Sequence, residues 1–229
     1  MWILYAFGSA FFAGLTAVLA KCGIEHTNSH LATALRTIVV LIFSWIMVGI
    51  VGSFDTIHTI THKTFLFLIL SGISTGASWL CYFKALQLGN INKVTAVDKT
   101  SVVLTIILSL IFFKESVTVY KILGMIILTA GTYLMVEKKE DNKQTSNAWL
   151  LYVVLSVVFA SLTTILGKIG ITNIESNLGT AIRTSIVLVM SWIVVFVTHS
   201  EMNMKSISKK EYFFIVLSGL ATGGSWLCF

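Results

Sequence analysis

Proline is absent from all 229 residues, so any break in a helix has to rest on glycine or on serine and threonine. Charge is scarce as well: 11% of residues are charged, against roughly 25% in soluble domains. With 56% hydrophobic residues and a mean hydropathy of +0.89, most of this surface cannot face water, and no soluble domain fits anywhere along the chain. Cysteine is limited to Cys22, Cys81 and Cys228, which form no CxxC or metal spacing and are expected as small buried apolar side chains. Motifs for catalysis or cofactors are missing too: there is no HExxH, GxGxxG, P-loop or nucleophile elbow. An enzyme is therefore not expected, nor is a cofactor or metal. The five histidines fall in or beside loops, and His58 and His62, four apart, have no third ligand at metal spacing. Lysine and arginine are scattered singly, which excludes a nucleic-acid surface, while the net charge of +6 suits anionic membrane lipid.

What the chain does have is apolar runs of bilayer length with polar punctuation. Spans are expected at 2–20, 31–52, 64–84, 92–113, 117–136, 148–167, 178–198 and 210–229, which makes an all-α membrane protein with eight transmembrane helices. The connection "EKKEDNKQTSN" (137–147) is the one charged, Asn/Gln-rich stretch and reads as a linker. It divides the chain into 1–136, with five helices, and 148–229, with three. The first apolar run has no basic lead-in and does not read as a cleaved signal peptide.

The two parts are copies. Shifted by 147 residues, Trp2–Tyr82 aligns on Trp149–Phe229 without a gap, with 37 of 81 positions identical. "LATALRTIVVLIFSWIMV" matches "LGTAIRTSIVLVMSWIVV", and "FLFLILSGISTGASWLCY" matches "YFFIVLSGLATGGSWLCF". All six tryptophans pair: Trp2 with Trp149, Trp45 with Trp192, Trp79 with Trp226. Because the second copy stops at the counterpart of Tyr82, the expectation is a fragment of a ten-helix (5+5) protein; a natural eight-helix protein is the alternative. An odd number of helices per copy inverts the second copy in the membrane, the architecture of secondary transporters with two gates around one site. An outside N-terminus would put most of the Lys and Arg on the cytoplasmic side, as the positive-inside rule favours. Oligomeric state is left open.

Ionisable residues inside apolar helices are expensive and mark function. Asp98 and Lys99 lie about two turns into the fourth helix and point about 100° apart, so each needs a partner on another helix or in a water-filled cavity. Asp98 and Ser101 share a face and could hold a proton, a cation or a substrate amine. The alternative is structural: Asp98 bridging a basic neighbour, Lys99 reaching the interface. Arg36 and its twin Arg183 could attract a substrate carboxylate or phosphate, or neutralise Asp98 and cap carbonyls. Lys21 and Lys168 read as interface anchors. "GISTG" and "GLATG" place Gly72 with Gly76, and Gly219 with Gly223, on faces suited to close helix packing. Trp79 and Trp226 fit either a cavity or the interfacial belt, the belt being favoured; Trp45 and Trp192, deeper in their helices, are the better cavity residues.

"FKALQLG" closing the third helix, "FFKES" closing the fourth, and Gly124 and Gly131 in the fifth resemble an EamA domain of the drug/metabolite transporter superfamily. "SGISTGASWLCYFKALQLG" with "VDKTS" is closer still to the small five-helix bacterial and archaeal units of that superfamily, so the chain looks like two such units in tandem. The resemblance implies a multi-pass protein of a prokaryotic plasma membrane, with ten helices around a central cavity and alternating access. It also implies export or exchange of small solutes such as amino acids or amines, with protons or another ion as possible coupling partners. Arg36, Arg183, Trp79, Trp226, Asp98, Lys99 and Glu115 fall at motif positions. Ala96 stands where such units often carry proline, and the family's usual orientation, both termini in the cytoplasm, opposes the charge count. Two other functions are compatible with the pattern: a flippase for a lipid-linked carrier, with a basic pocket from Arg36 and Arg183, and a non-transporting membrane subunit.

Overall fold

The computed structural model describes residues 2–114, 118–135, 148–171, 174–200 and 207–227. Glu115, Cys228 and the linker 137–147 lie outside them. The described residues form an all-helical protein: α1 (Trp2–Gly23), α2 (Ser29–Val51), a short 3-10 helix (Ser53–Thr59), α3 (His62–Leu88), α4 (Ile91–Phe113), α5 (Val119–Met135), α6 (Ala148–Gly170), α7 (Ser176–Val197) and α8 (Lys209–Leu227). A helix occurs at each expected position, but among the described residues six rather than eight are long and apolar enough to cross a membrane. The exceptions have physical reasons. Helix α5 has 17 residues, roughly 25 Å of rise against a hydrocarbon core of about 30 Å. Helix α8 opens on Lys209, Lys210 and Glu211, which dilute its apolar stretch.

The starts of α2, α3, α4 and α7 are set by side-chain caps. Asn28 Oδ1 accepts from His30 N at 2.9 Å, Thr61 Oγ1 from Thr64 N at 3.2 Å, Asn90 Oδ1 from Asn92 N at 2.9 Å, and Glu175 Oε2 from Leu178 N at 3.0 Å. Gly52 ends α2 with φ 74°, a left-handed geometry that glycine adopts without a Cβ clash. The 3-10 turn that follows has no signature in the hydropathy pattern.

The polarity of the molecule is inverted relative to a soluble bundle. Leu4, Phe7 and Phe11 of α1 and Tyr120, Ile127 and Leu134 of α5 point outward. Hydroxyls line the inside of α2 and α7: Thr33, Thr37 and Ser44 donate to the carbonyls of Ser29, Thr33 and Val40, and Thr184 and Ser191 to those of Thr180 and Val187. Bonding to the carbonyl four residues back satisfies a buried hydroxyl inside its own helix. Cys22 is exposed and Cys81 half-buried, contrary to the expected burial; against an apolar surround a thiol loses nothing by facing outward.

The helices that match in sequence exchange partners. Helix α3 packs most extensively on α6, and its counterpart α8 packs on α1, the counterpart of α6. Helix α2 lies against its own counterpart α7, with Leu31 and Ala34 beside Val195 at one end, and Val48 beside Leu178 and Ala181 at the other. Equivalent helices α2 and α7 therefore run antiparallel, and an axis exchanging them lies across the helices rather than along them. The glycine faces seat these crossings. A Cβ on Gly72 would come within 2.8 Å of Ile186, and one on Gly219 within 2.8 Å of Val39, its counterpart contact. Gly76 likewise meets Met190 where Gly223 meets the Phe43 ring.

Candidate functional site: a polar chamber between the two halves

The same exchange builds a chamber. "SGISTGAS" and "SGLATGGS" carry hydroxyls at positions four and three apart, which fall on one helix face beside the glycine face. On α3, Ser78 Oγ donates to Ser156 O at 3.1 Å, Thr75 Oγ1 lies 3.3 Å from Thr163 Oγ1, and Ser71 Oγ donates to Thr163 O at 2.9 Å. On α8 the counterparts repeat each contact: Ser225 Oγ to Ser9 O at 3.0 Å, Thr222 Oγ1 beside Thr16 Oγ1 at 3.3 Å, and Ser218 Oγ to Thr16 O at 3.3 Å. These two seams form the walls of a cavity of about 310 Å³.

Arg36, Arg183, Asp98, Lys99, Trp79 and Trp226 all line it. Arg36 is 4% exposed. Its Nε donates to Ser218 Oγ at 3.2 Å and its Nη2 to Thr222 Oγ1, while the guanidinium sits 4.8 Å from the Trp79 ring and 4.9 Å from the Phe83 ring. Its Nη1 is buried without a hydrogen-bond partner. Arg183 is half-buried, with Nε also buried and unpartnered. Trp79 and Trp226 meet across the halves with ring centroids 6.3 Å apart. Asp98 takes a hydrogen bond from Ser156 Oγ of α6 at 3.0 Å, so its partner is on another helix, as its direction requires. Among the described residues, no carboxylate is a partner of either arginine.

Other expected residues lie elsewhere. Ser101 is outside the chamber and contributes its carbonyl to Ser161 Oγ at 3.0 Å, which fastens α4 to α6. Trp45 lines a separate apolar pocket of about 370 Å³, stacks on Phe54 and reaches Ser185 Oγ at 3.4 Å. Trp192 packs on Phe196 and beside Leu31 and Val195. The chamber thus takes Trp79 and Trp226, the pair for which the sequence favoured the interfacial belt; depth along a helix says nothing about the face a residue occupies. Lys21 caps α3, donating from Nζ to Leu86 O and, at 3.0 Å, to Gly89 O. Its twin Lys168 lies over the Phe113 ring at 4.7 Å.

Lining residues not anticipated are Thr16, Thr75, Thr163, Thr222, Tyr82 and Phe83. The signal that could have found the threonines is their conservation between the two copies within apolar helices. A larger cavity, about 940 Å³, shares Thr163, Arg183 and Trp226 with the chamber and continues past Lys168, Asn177 and Thr180.

Apolar helices whose paired copies surround charged residues define a multi-pass integral membrane protein with an internal polar compartment. The EamA-like transporter family matches residues 1–137, and the chain belongs to that family. It is also 42% identical over 134 residues to a protein of Sinorhizobium sp. described as "Uncharacterized transporter in cobO 3'region", a match that spans 58% of this chain and 95% of that relative.

Proposed function

We propose that the chain is a secondary transporter in which two five-helix units, α1–α5 and a second that begins with α6–α8, enclose one pathway and open it alternately to the two sides of the membrane. One observation carries this reading: Arg36, Asp98 and Lys99 of the first unit and Arg183 and Trp226 of the second face a single chamber. The tandem arrangement is supported by 37 identical positions in 81 and by a relative little longer than its matched 134 residues, the size of one unit. Alternation is supported by an asymmetry between equivalent residues, since the wider cavity reaches Arg183 and not Arg36.

The cargo in this reading is a small metabolite, exported or exchanged, because the chamber holds about 310 Å³, at the low end of the roughly 300–1,000 Å³ of small-molecule sites. Asp98, the carboxylate of the chamber, is the group to carry a coupling proton. The test is solute counterflow into liposomes containing the purified protein. Saturable uptake is expected, and Asp98→Asn is expected to leave exchange intact while removing its response to a proton gradient. Lipid scrambling in the same vesicles with no solute counterflow would replace this reading by a flippase.

A further inference from the structure

The charges of the chamber go beyond the proposed function and bear on the chemistry of the cargo. Three cationic side chains, Arg36, Arg183 and Lys99, line it together with one carboxylate, Asp98. Asp98 is engaged by a hydroxyl rather than by an arginine. The guanidinium groups have donors to spare. Arg36, 4% exposed, holds Nε and Nη2 on Ser218 and Thr222 and leaves Nη1 buried with nothing to donate to. Arg183 leaves Nε buried in the same condition. A buried donor without an acceptor is costly and rare in native proteins, and calls for a ligand or solvent that completes it.

The surroundings favour an acceptor with negative charge. Arginine is stacked on Trp79 and Phe83 in a site walled by apolar helices, where charge is weakly screened and like charges repel strongly. An ammonium entering this chamber would meet a net positive field. A carboxylate or a phosphate would meet donors from both halves at once, and planar guanidinium forks are matched to oxyanions. We infer that the chamber binds a small organic oxyanion, a carboxylate or phosphate ester, between the guanidinium groups of Arg36 and Arg183. This rests on the chamber being the transport site, and it narrows the cargo away from amines.

The experiment compares three probes with one ring and different charges, benzoate, phenyl phosphate and benzylamine, by thermal unfolding of the whole purified protein in detergent. Benzoate or phenyl phosphate, or both, are expected to raise the unfolding temperature saturably; whichever does so more strongly identifies the source of the oxyanion. Benzylamine is expected to have no saturable effect. Arg183→Gln, which loses no hydrogen bond among the described residues, is expected to weaken the anion at least about tenfold, with Arg183→Lys intermediate because it keeps charge without the fork. Arg36→Gln is expected to act in the same direction, and Arg183→Gln alone decides if Arg36→Gln does not fold. Stabilisation by benzylamine alone, stabilisation by none of the three, or anion binding unchanged in Arg183→Gln would each overturn the inference. Counterflow of benzylamine without anion binding would sink it and leave the transporter reading standing. Anion binding without counterflow of the bound anion would do the reverse.

Discussion

Arg36 and Arg183 occupy the same place in two copies of one sequence, and the structure treats them differently. Arg36 is sealed under Trp79 and Phe83 and tied to two hydroxyls of α8, whereas Arg183 borders the wider cavity and is tied to no hydroxyl. Ser71 and Thr75, the counterparts of the residues that hold Arg36, are present in the other half. The hydroxyl residues are thus the same in both halves and only Arg36 uses them, whereas the Phe83 ring has no counterpart within the 229 residues. In the alternating-access reading proposed above, equivalent arginines held in unequal states are what a pathway open on one side requires.

That comparison breaks in a graded way. The largest effect is expected at the arginines: Arg36→Ala should cost about 3 kcal/mol, through lost packing and unsatisfied hydroxyls, and Arg183→Ala less than about 1 kcal/mol. Unfolding midpoints of the two variants, measured side by side, check this, and equal losses would mean the two environments are energetically alike.

Next come the glycine crossings. A Cβ on Gly223 would press within 2.6 Å of the flat Phe43 ring, but one on Gly76 would meet the flexible end of Met190 at 2.7 Å. Gly223→Ala is expected to cost about 1–3 kcal/mol and Gly76→Ala under about 1 kcal/mol, because only methionine can swing aside. Adding Phe43→Met to Gly223→Ala should recover most of the loss.

Smaller still is the contrast between Ser156 and its twin Ser9. Both pair with a serine of the facing helix, but Ser156 also donates to Asp98. Ser9→Ala should cost about 0.6 kcal/mol, an average value for interhelical hydrogen bonds. Ser156→Ala should cost about 1–2 kcal/mol, since it also strips a donor from a half-buried carboxylate.

The smallest effect concerns the caps of α2 and α7, Asn28 and Glu175, again equivalent positions. Partial burial pushes the Glu175 carboxyl up, but hydrogen bonds from Asn177, Ser53 and Leu178 outweigh it and hold the group below the usual carboxylate range. A depressed folded value means that this stabilisation is complete above the ordinary carboxylate pKa, about 4.3. It is lost as pH falls through the lower folded value. Unfolding curves between neutral and acid pH should show a slightly shallower loss in Glu175→Gln than in the parent protein.

Much of this was legible in the sequence, for reasons that differ by element. Helices α1–α8 stand out because each is apolar over most of its length, with only scattered hydroxyls and a few charges on its inner face, so hydropathy alone finds them. Their ends do not, because Thr61, Asn90 and Gly89 set them through hydrogen bonds rather than through polarity. Arg36, Arg183, Asp98 and Lys99 were visible since each is an expensive exception in an apolar run. Thr75 and Thr222 were not, because a threonine bonded to the carbonyl four residues back passes for ordinary helix filling. The tryptophans show where hydropathy stops being informative. Trp45 and Trp79 are equally conspicuous, and only the turn of their helices decides that Trp79 looks into the chamber.

The lack of proline acquires a mechanical meaning once the glycine crossings are known. No helix carries a proline kink, so bending is left to the glycines and to serines and threonines bonded back to carbonyls. If the sealed and the open arginine are to trade places, the crossings of α2 on α8 and of α3 on α7 are surfaces along which the helices can slide, since the glycines leave the backbone there without side chains. The same four glycines that let the halves approach would then serve as the bearing on which they turn.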